Sequence, residues 1–218
     1  MRGYLCVVTQ NKRPMKNKIF KLFITSFLCV CLVLLTACGA DEIVENKDTN
    51  VLIGDSVLSE SSYSLGDKMG DYTVTDVNGN EYVFSELLKS KKAIVLNFWY
   101  VNCGPCQMEF PYLQAAANKY SDDITVLAIN PTDDKESDIQ KYAVQNELSL
   151  PLIKGDLAWN TAFSIRGFPT TVVIDRYGTV AFSHMGAVIE EGVFESLFAY
   201  FSADDYTQKI VESFEDIK

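Results

Sequence analysis

The chain has 218 residues, 48% of them hydrophobic, and a formal net charge of −10. Its charge is segregated: the basic residues Arg2, Lys12, Arg13, Lys16, Lys18 and Lys21 all precede the first acidic residue, Asp41, and without them 13 basic residues face 29 acidic ones, a net of −16. So acidic a body excludes binding nucleic acid or anionic lipid through its surface, and the length allows one domain plus a targeting segment.

Leu22 to Leu35 (LFITSFLCVCLVLL) is an apolar run of signal-peptide length, short of the ~20 residues of a spanning helix, with Lys16, Lys18 and Lys21 as its positive flank. It ends in Leu35-Thr36-Ala37-Cys38-Gly39, which resembles the bacterial lipobox, where the cysteine is lipidated and becomes the mature N-terminus. The resemblance implies a signal peptide over residues 1–37, with Met15 as an alternative start, lipidation of Cys38, and a place on the extracytoplasmic face of a bacterial cell membrane. An ordinary signal peptide or a short anchor helix is the plainer reading of the same run. Residues 38–64 are polar and acidic and read as a tether.

Asp71–Val77 alternates weakly, and Asn78-Gly79 predicts a tight hairpin turn before Glu81–Phe84. Ser85–Lys89 reads as a helical turn capped by the serine. Ala93–Tyr100 (AIVLNFWY) predicts a central strand covered on both faces, Cys103–Tyr120 a helix, Ile124–Asn130 a second buried strand, and Asp133–Leu148 a long amphipathic helix opened by acidic residues. After Pro151 come a short apolar piece, a helix around Leu157–Ser164, a hairpin of Thr170–Asp175 with Thr179–His184, and a helix over Glu190–Phe201. Residues 203–218 predict one more helix or a frayed tail. Strands alternating with helices, then a hairpin and helix, imply an α/β fold with a mixed central sheet flanked by helices on both faces.

Six cysteines are present. Cys6, Cys29 and Cys31 leave with a signal peptide and Cys38 takes lipid, so Cys103 and Cys106 remain, in a compartment where disulfides persist. Bonding residues three apart closes almost no loop, so such a pair is a poor staple and better suited to chemistry. Cys103 opens a helix, where free N–H groups and the helix dipole stabilise a thiolate. It is therefore the expected nucleophile and the more accessible thiol, with Cys106, one turn in, as the resolving thiol. Gly104-Pro105 lets the chain enter the helix while keeping the two sulfurs within bonding distance.

Phe98-Trp99 before Cys103-Gly104-Pro105-Cys106, with Pro111 eight residues after Cys103, resembles thioredoxin, and Ile165-Arg166-Gly167-Phe168-Pro169-Thr170 is similar to that family's second signature. The resemblance covers about Leu65 to Ser202, and the domain is expected over residues 65–202. It implies a thioredoxin-like fold, a redox-active Cys103–Cys106 disulfide, a cis peptide bond at Pro169, and a substrate groove lined by Trp99, Gly104, Pro105, Phe168 and Pro169, with Trp99 expected as core and active-site wall rather than as a ligand-stacking residue. Asn97-Phe98-Trp99 and Glu109-Phe110-Pro111 resemble the TlpA/ResA type of anchored oxidoreductase, which implies a catalytic role for Glu109 in moving the proton of Cys106. An exposed helix residue is the alternative for Glu109. Asn102 departs from those relatives, which usually have Trp before the first cysteine.

The implied activity is extracytoplasmic reduction of protein disulfides by dithiol exchange, without a cofactor, the electrons coming from a membrane thiol donor of CcdA/DsbD type and apocytochrome c among conceivable substrates. The alternatives on the same fold are a disulfide-donating oxidase, a peroxiredoxin-type peroxidase and a non-catalytic binding lipoprotein. Against the peroxidase, Trp99-Tyr100-Val101-Asn102 lacks the proline and threonine that precede a peroxidatic cysteine. Against zinc, the domain offers only two cysteines and His184, too few for a tetrahedral site; His184 is expected to be structural.

Overall fold

The computed structural model describes residues 62–217; the expected signal peptide, the expected lipidation site Cys38 and the expected tether through residue 61 lie outside the described residues. Asn78-Gly79 makes the predicted turn: β1 (Thr73–Thr75) pairs antiparallel with β2 (Glu81–Val83), and Gly79 takes a φ of 86° that a side chain disfavours. Tyr63, expected in the tether, instead belongs to the domain: its N–H donates to the Ala162 carbonyl at 2.7 Å and its ring lies 5.2 Å from that of Phe163.

Helix α1 (Phe84–Ser90) follows β2 without a serine cap, because its N-cap position is Val83 and Ser85 already lies inside the helix. Asp71 supplies the missing acceptor from fourteen residues upstream, its carboxylate receiving the Ser85 N–H at 2.9 Å and the Ser85 hydroxyl at 2.7 Å. Asp71→Ala is therefore expected to cost about 1 kcal/mol, the usual value of a lost cap. Denaturant unfolding would show a lower midpoint for Asp71→Ala than for Ser85→Ala, which keeps the N–H bond.

The main sheet is built on β3 (Ala93–Phe98), buried at all six positions. β4 (Ile124–Asn130) runs parallel beside it and β5 (Leu152–Lys154) parallel beyond. On the other side β6 (Thr170–Asp175) pairs antiparallel with β3, and β7 (Val180–Met185) returns antiparallel to β6, giving the order β5-β4-β3-β6-β7. The remaining helices are α2 (Gly104–Lys119), α3 (Glu136–Gln145), α4 (Leu157–Ala162) and α5 (Val193–Ser202).

A strand covered on both faces must be apolar throughout, and the pleat divides its side chains between two layers. Ala93 and Val95 pack with Phe110 and Leu113 of α2, Ile139 of α3 and Phe198 of α5. Ile94, Leu96 and Phe98 pack with Phe84 of α1 and Trp159 of α4. Full burial of one such large apolar side chain is worth about 1.5–3 kcal/mol. This mixed sheet with helices on both faces is the expected thioredoxin-like α/β fold.

Helix α3 is shorter than the predicted Asp133–Leu148. Asp134 is drawn into loop hydrogen bonds at one end, and Glu147, at a φ of 52°, leaves the helical region at the other. The C-terminal segment is neither a long helix nor a frayed tail. The Val211 N–H donates to the Ala181 carbonyl at 2.8 Å, the Tyr206 hydroxyl to the Asp175 carboxylate at 3.0 Å, and only Phe214–Ile217 forms a short 3₁₀ turn. The segment covers part of the outer edge of β7, which would otherwise present unpaired backbone groups. Among the described residues no helix is long and apolar enough to cross a membrane.

Candidate active site

The loop from β3 to α2 brings the site together. Trp99 continues beyond the strand, its N–H bonded to the Ile129 carbonyl at 3.0 Å. The chain then turns at Tyr100–Cys103, closed by the Cys103 N–H donating to the Tyr100 carbonyl at 3.1 Å. Cys103 is the N-cap of α2, with Pro105 in the first turn, where its missing N–H costs nothing. Cys103 and Cys106 are disulfide-bonded, their Cα atoms 5.2 Å apart. The Cys106 N–H donates to Cys103 Sγ at 3.2 Å, the contact a thiolate at a helix start receives.

Cys103 is not the more accessible thiol in this disulfide form, since both cysteines are 1% exposed. What sets them apart is position: Cys103 accepts a helix N–H, while Cys106 lies one turn inside the helix. Gly104 and Pro105 between them are exposed, and a side chain at Gly104 would meet nothing within 4 Å, so that approach is open.

The Phe168–Pro169 peptide bond is cis. The pairing of Phe98 with Thr170 places Pro169 at the end of β3 from which the Cys103 loop departs. Phe168 packs edge-on against Tyr100 at 5.5 Å between centroids, and both rings border the cluster that holds the two cysteines. An aromatic pair thus borders the core cluster that holds the disulfide, although Asn102, which is exposed, brings none.

Trp99 does not line a groove. It is fully buried, its ring 5.0 Å from Phe110 and 5.3 Å from Tyr142, with its indole N–H donating to the Ala128 carbonyl at 3.3 Å. The odd-numbered face of β3 continues through it into the core, so it supports α2 from beneath. The sequence showed an aromatic next to the motif but not which way the pleat turned it.

Glu109 is 1% exposed, which rules out the exposed-residue reading. It follows Cys106 by three residues on the same buried face of α2. One carboxylate oxygen accepts the Asn97 side-chain amide at 2.8 Å and the other the Val188 N–H at 2.7 Å. Asn97 also donates to the Thr171 hydroxyl at 3.2 Å, and its carbonyl oxygen has no partner among the described residues. Burial raises the Glu109 pKa from 4.5 to about 7, while the bonds from Val188 and Asn97 pull the other way without offsetting it. At neutral pH this carboxyl can both hold and release a proton.

Sequence reasoning did not find Val188, whose backbone group carries no side-chain signal, or Asp134, which accepts the Val101 N–H at 2.7 Å. A signal for Asp134 existed: the loops after adjacent parallel strands meet at one sheet edge, and Asp134 lies in the polar stretch just after β4. His184 is far from the cysteines in sequence and packs against two aromatics, stacked 6.4 Å from the Phe182 ring and edge-on 4.9 Å from the Phe214 ring.

This fold and this site define a thiol–disulfide oxidoreductase of thioredoxin type. Residues 65–183 match the model of the AhpC/TSA family, more than half of the chain, and the chain belongs to that family. It is 26% identical over 135 residues to the thioredoxin-like protein YneN of Bacillus subtilis, covering 61% of this chain and 78% of YneN. It is 29% identical over 133 residues to the thiol-disulfide oxidoreductase ResA of Halalkalibacterium halodurans, covering 60% and 73% of the two chains. Among solved structures, one from Chlorobium tepidum assigned as a thiol:disulfide interchange protein DsbE matches with a TM-score of 0.52 and 29% identity, over 62% of this chain and 94% of that one. These likenesses support the TlpA/ResA type.

Proposed function

We propose that this protein reduces protein disulfides on the extracytoplasmic face of a bacterial membrane, with Cys103 as nucleophile and Cys106 as resolving thiol. The observation that carries the reading is the Cys103–Cys106 disulfide at the start of α2, with Cys103 Sγ receiving the Cys106 N–H. In the cycle, the Cys103 thiolate attacks a substrate disulfide, forming a mixed disulfide and releasing one substrate thiolate. Cys106 gives its proton to Glu109 and attacks Cys103 Sγ, which releases the second substrate thiolate and restores the Cys103–Cys106 disulfide. Two electrons pass from the dithiol to the substrate, so the step needs no cofactor. Phe168, Pro169, Gly104 and Pro105 border the place where the substrate chain lies.

The oxidised protein then takes two electrons from a membrane thiol donor of CcdA/DsbD type. Lipid on Cys38 and the acidic tether hold the domain at the membrane, and the apolar run ending in Leu35-Thr36-Ala37-Cys38 supports that placement. The Gly104-Pro105 dipeptide favours the reducing direction, since thioredoxin, with the same dipeptide, lies near about −270 mV.

Equilibrating the purified protein in glutathione buffers and titrating the Cys103–Cys106 pair tests this. A potential near about −270 mV is expected; one near about −120 mV, that of a strong oxidant, would make the protein a disulfide donor. Hydrogen peroxide turnover by the reduced protein would point to a peroxidase instead. Slow labelling of both thiols near neutral pH would point to a non-catalytic scaffold.

A further inference from the structure

The turn that delivers Cys103 is held from outside as well as from within. Its own bond joins the Cys103 N–H to the Tyr100 carbonyl. The peptide groups of Val101 are then taken from two directions: Gln107, on the exposed side of α2, donates its side-chain amide to the Val101 carbonyl at 2.9 Å, and Asp134 accepts the Val101 N–H at 2.7 Å. Asp134 is itself fixed. The same carboxylate oxygen accepts the side-chain amide of Asn130 at 2.9 Å, and Asn130, fully buried at the end of β4, accepts the Thr132 N–H at 3.2 Å and hydroxyl at 2.8 Å. The Asp134 N–H donates to that same hydroxyl at 3.3 Å.

Asp134 therefore has a defined place and an unneutralised charge. Among the described residues no lysine or arginine forms an ion pair with it. Lys154, which reaches the same loop, bonds to the carbonyl oxygens of Thr132 and Gly155 at 2.6 Å each.

We propose that Asp134 is a positioning residue for thiol–disulfide exchange: it locks the Tyr100–Cys103 turn through the Val101 N–H and sets a negative charge on the turn that delivers the nucleophile, which keeps the pair reducing. Two effects act with one sign. The carboxylate occupies an N–H two residues before Cys103, and its charge opposes formation of a thiolate at the helix start. A less stable thiolate makes the dithiol a stronger reductant, because part of what makes a pair oxidising is stabilisation of its reduced form. The inference rests on the exchange reading above and deepens it, adding a determinant of redox poise outside the Cys-Gly-Pro-Cys segment.

The test compares the full-length protein with Asp134→Asn and Asp134→Glu. Asparagine keeps an acceptor for the Val101 N–H and loses the charge; glutamate keeps the charge. Asp134→Asn is expected to shift the exchange equilibrium with glutathione toward the dithiol by about threefold to tenfold, tenfold being about 30 mV for this couple. Its reduced form should be alkylated at Cys103 faster than wild type at pH 7. Asp134→Glu should stay within about twofold of wild type in both readouts, a factor worth about 0.4 kcal/mol. Equal potentials in wild type and Asp134→Asn, or equal shifts in both variants, would overturn the proposal. If the wild-type potential proved strongly oxidising, the reductase direction would fall, while the difference between wild type and Asp134→Asn would still report on Asp134.

Discussion

Cys103→Ser is expected to bring disulfide exchange down to the uncatalysed background, and Cys106→Ser to leave the protein covalently joined to its substrate. The asymmetry follows from where α2 places the two sulfurs. Cys103 is the N-cap and its Sγ receives the Cys106 N–H, so the developing thiolate meets a helix start. A serine there has a hydroxyl whose proton does not leave near neutral pH, and no sulfur to bond to the substrate. Cys106 is needed only after the first bond has formed. With serine in its place Cys103 still attacks, but nothing resolves the mixed disulfide except an outside thiol. Non-reducing gel electrophoresis after mixing reduced variant with a disulfide-bonded protein should show the adduct for Cys106→Ser alone, and dithiothreitol should release it. An adduct formed by Cys103→Ser instead would exchange the two roles.

What the sequence made legible was what local pattern encodes. Ile124–Asn130 and Thr170–Asp175 are strands over the predicted residues because unbroken apolar runs between polar turns have few other ways to be buried. The Asn78-Gly79 turn and the start of α2 at the Cys-Gly-Pro-Cys segment follow from backbone chemistry that residues carry with them. The misses share a different cause: each depends on a partner far away in the chain. Ser85 looks like a cap until Asp71 is placed beside it, and Asp133–Leu148 reads as one helix until Val101 and Asn130 claim Asp134. Residues 203–217 read as helix or tail until the edge of β7 is there to cover.

The site divides along the same line. The cysteine pair and the proline at position 169 stand in contiguous motifs, and their place at one end of the sheet follows from β3 and β6 being neighbours in it. Trp99 was expected in the core and in the groove wall, and only its place in the core holds, because one step of the pleat decides between the two and periodicity is lost where a strand runs into a loop. Glu109 was identified by resemblance, but its state is set by Asn97, Val188 and burial, which only the packed structure supplies.

Glu109→Gln is expected to slow resolution and, at alkaline pH, to stabilise the fold. An ordinary Glu titrates near 4.5, and burial raises this one to about 7. Below about pH 4.5 the carboxyl is neutral whether the chain is folded or not, and nothing is lost. Between 4.5 and about 7 the unfolded chain releases a proton that the folded protein keeps, so stability falls as pH rises. Above 7 the full difference applies, on the order of 3 kcal/mol at about 1.36 kcal/mol per pKa unit. Glutamine carries no such cost, and the site can take it. Its carbonyl accepts the Val188 N–H, and its amide meets the Asn97 carbonyl oxygen that now lacks a partner, once the Asn97 amide turns over. Denaturant unfolding from pH 4 to 8 should therefore show wild type losing stability relative to Glu109→Gln through that window, the gap opening above pH 4.5 and complete by about 7. The same variant lacks the base that takes the Cys106 proton, so the second step of exchange at pH 7 should slow by about 10²-fold, the lower end of general-base effects. The deficit should shrink as pH rises and Cys106 ionises without help. A wild-type stability that does not fall relative to the variant between pH 5 and 8 would mean that Glu109 ionises in the core without penalty. An unchanged second step in a variant that gains the expected stability would leave Glu109 a buried structural carboxyl with no part in the proton's path.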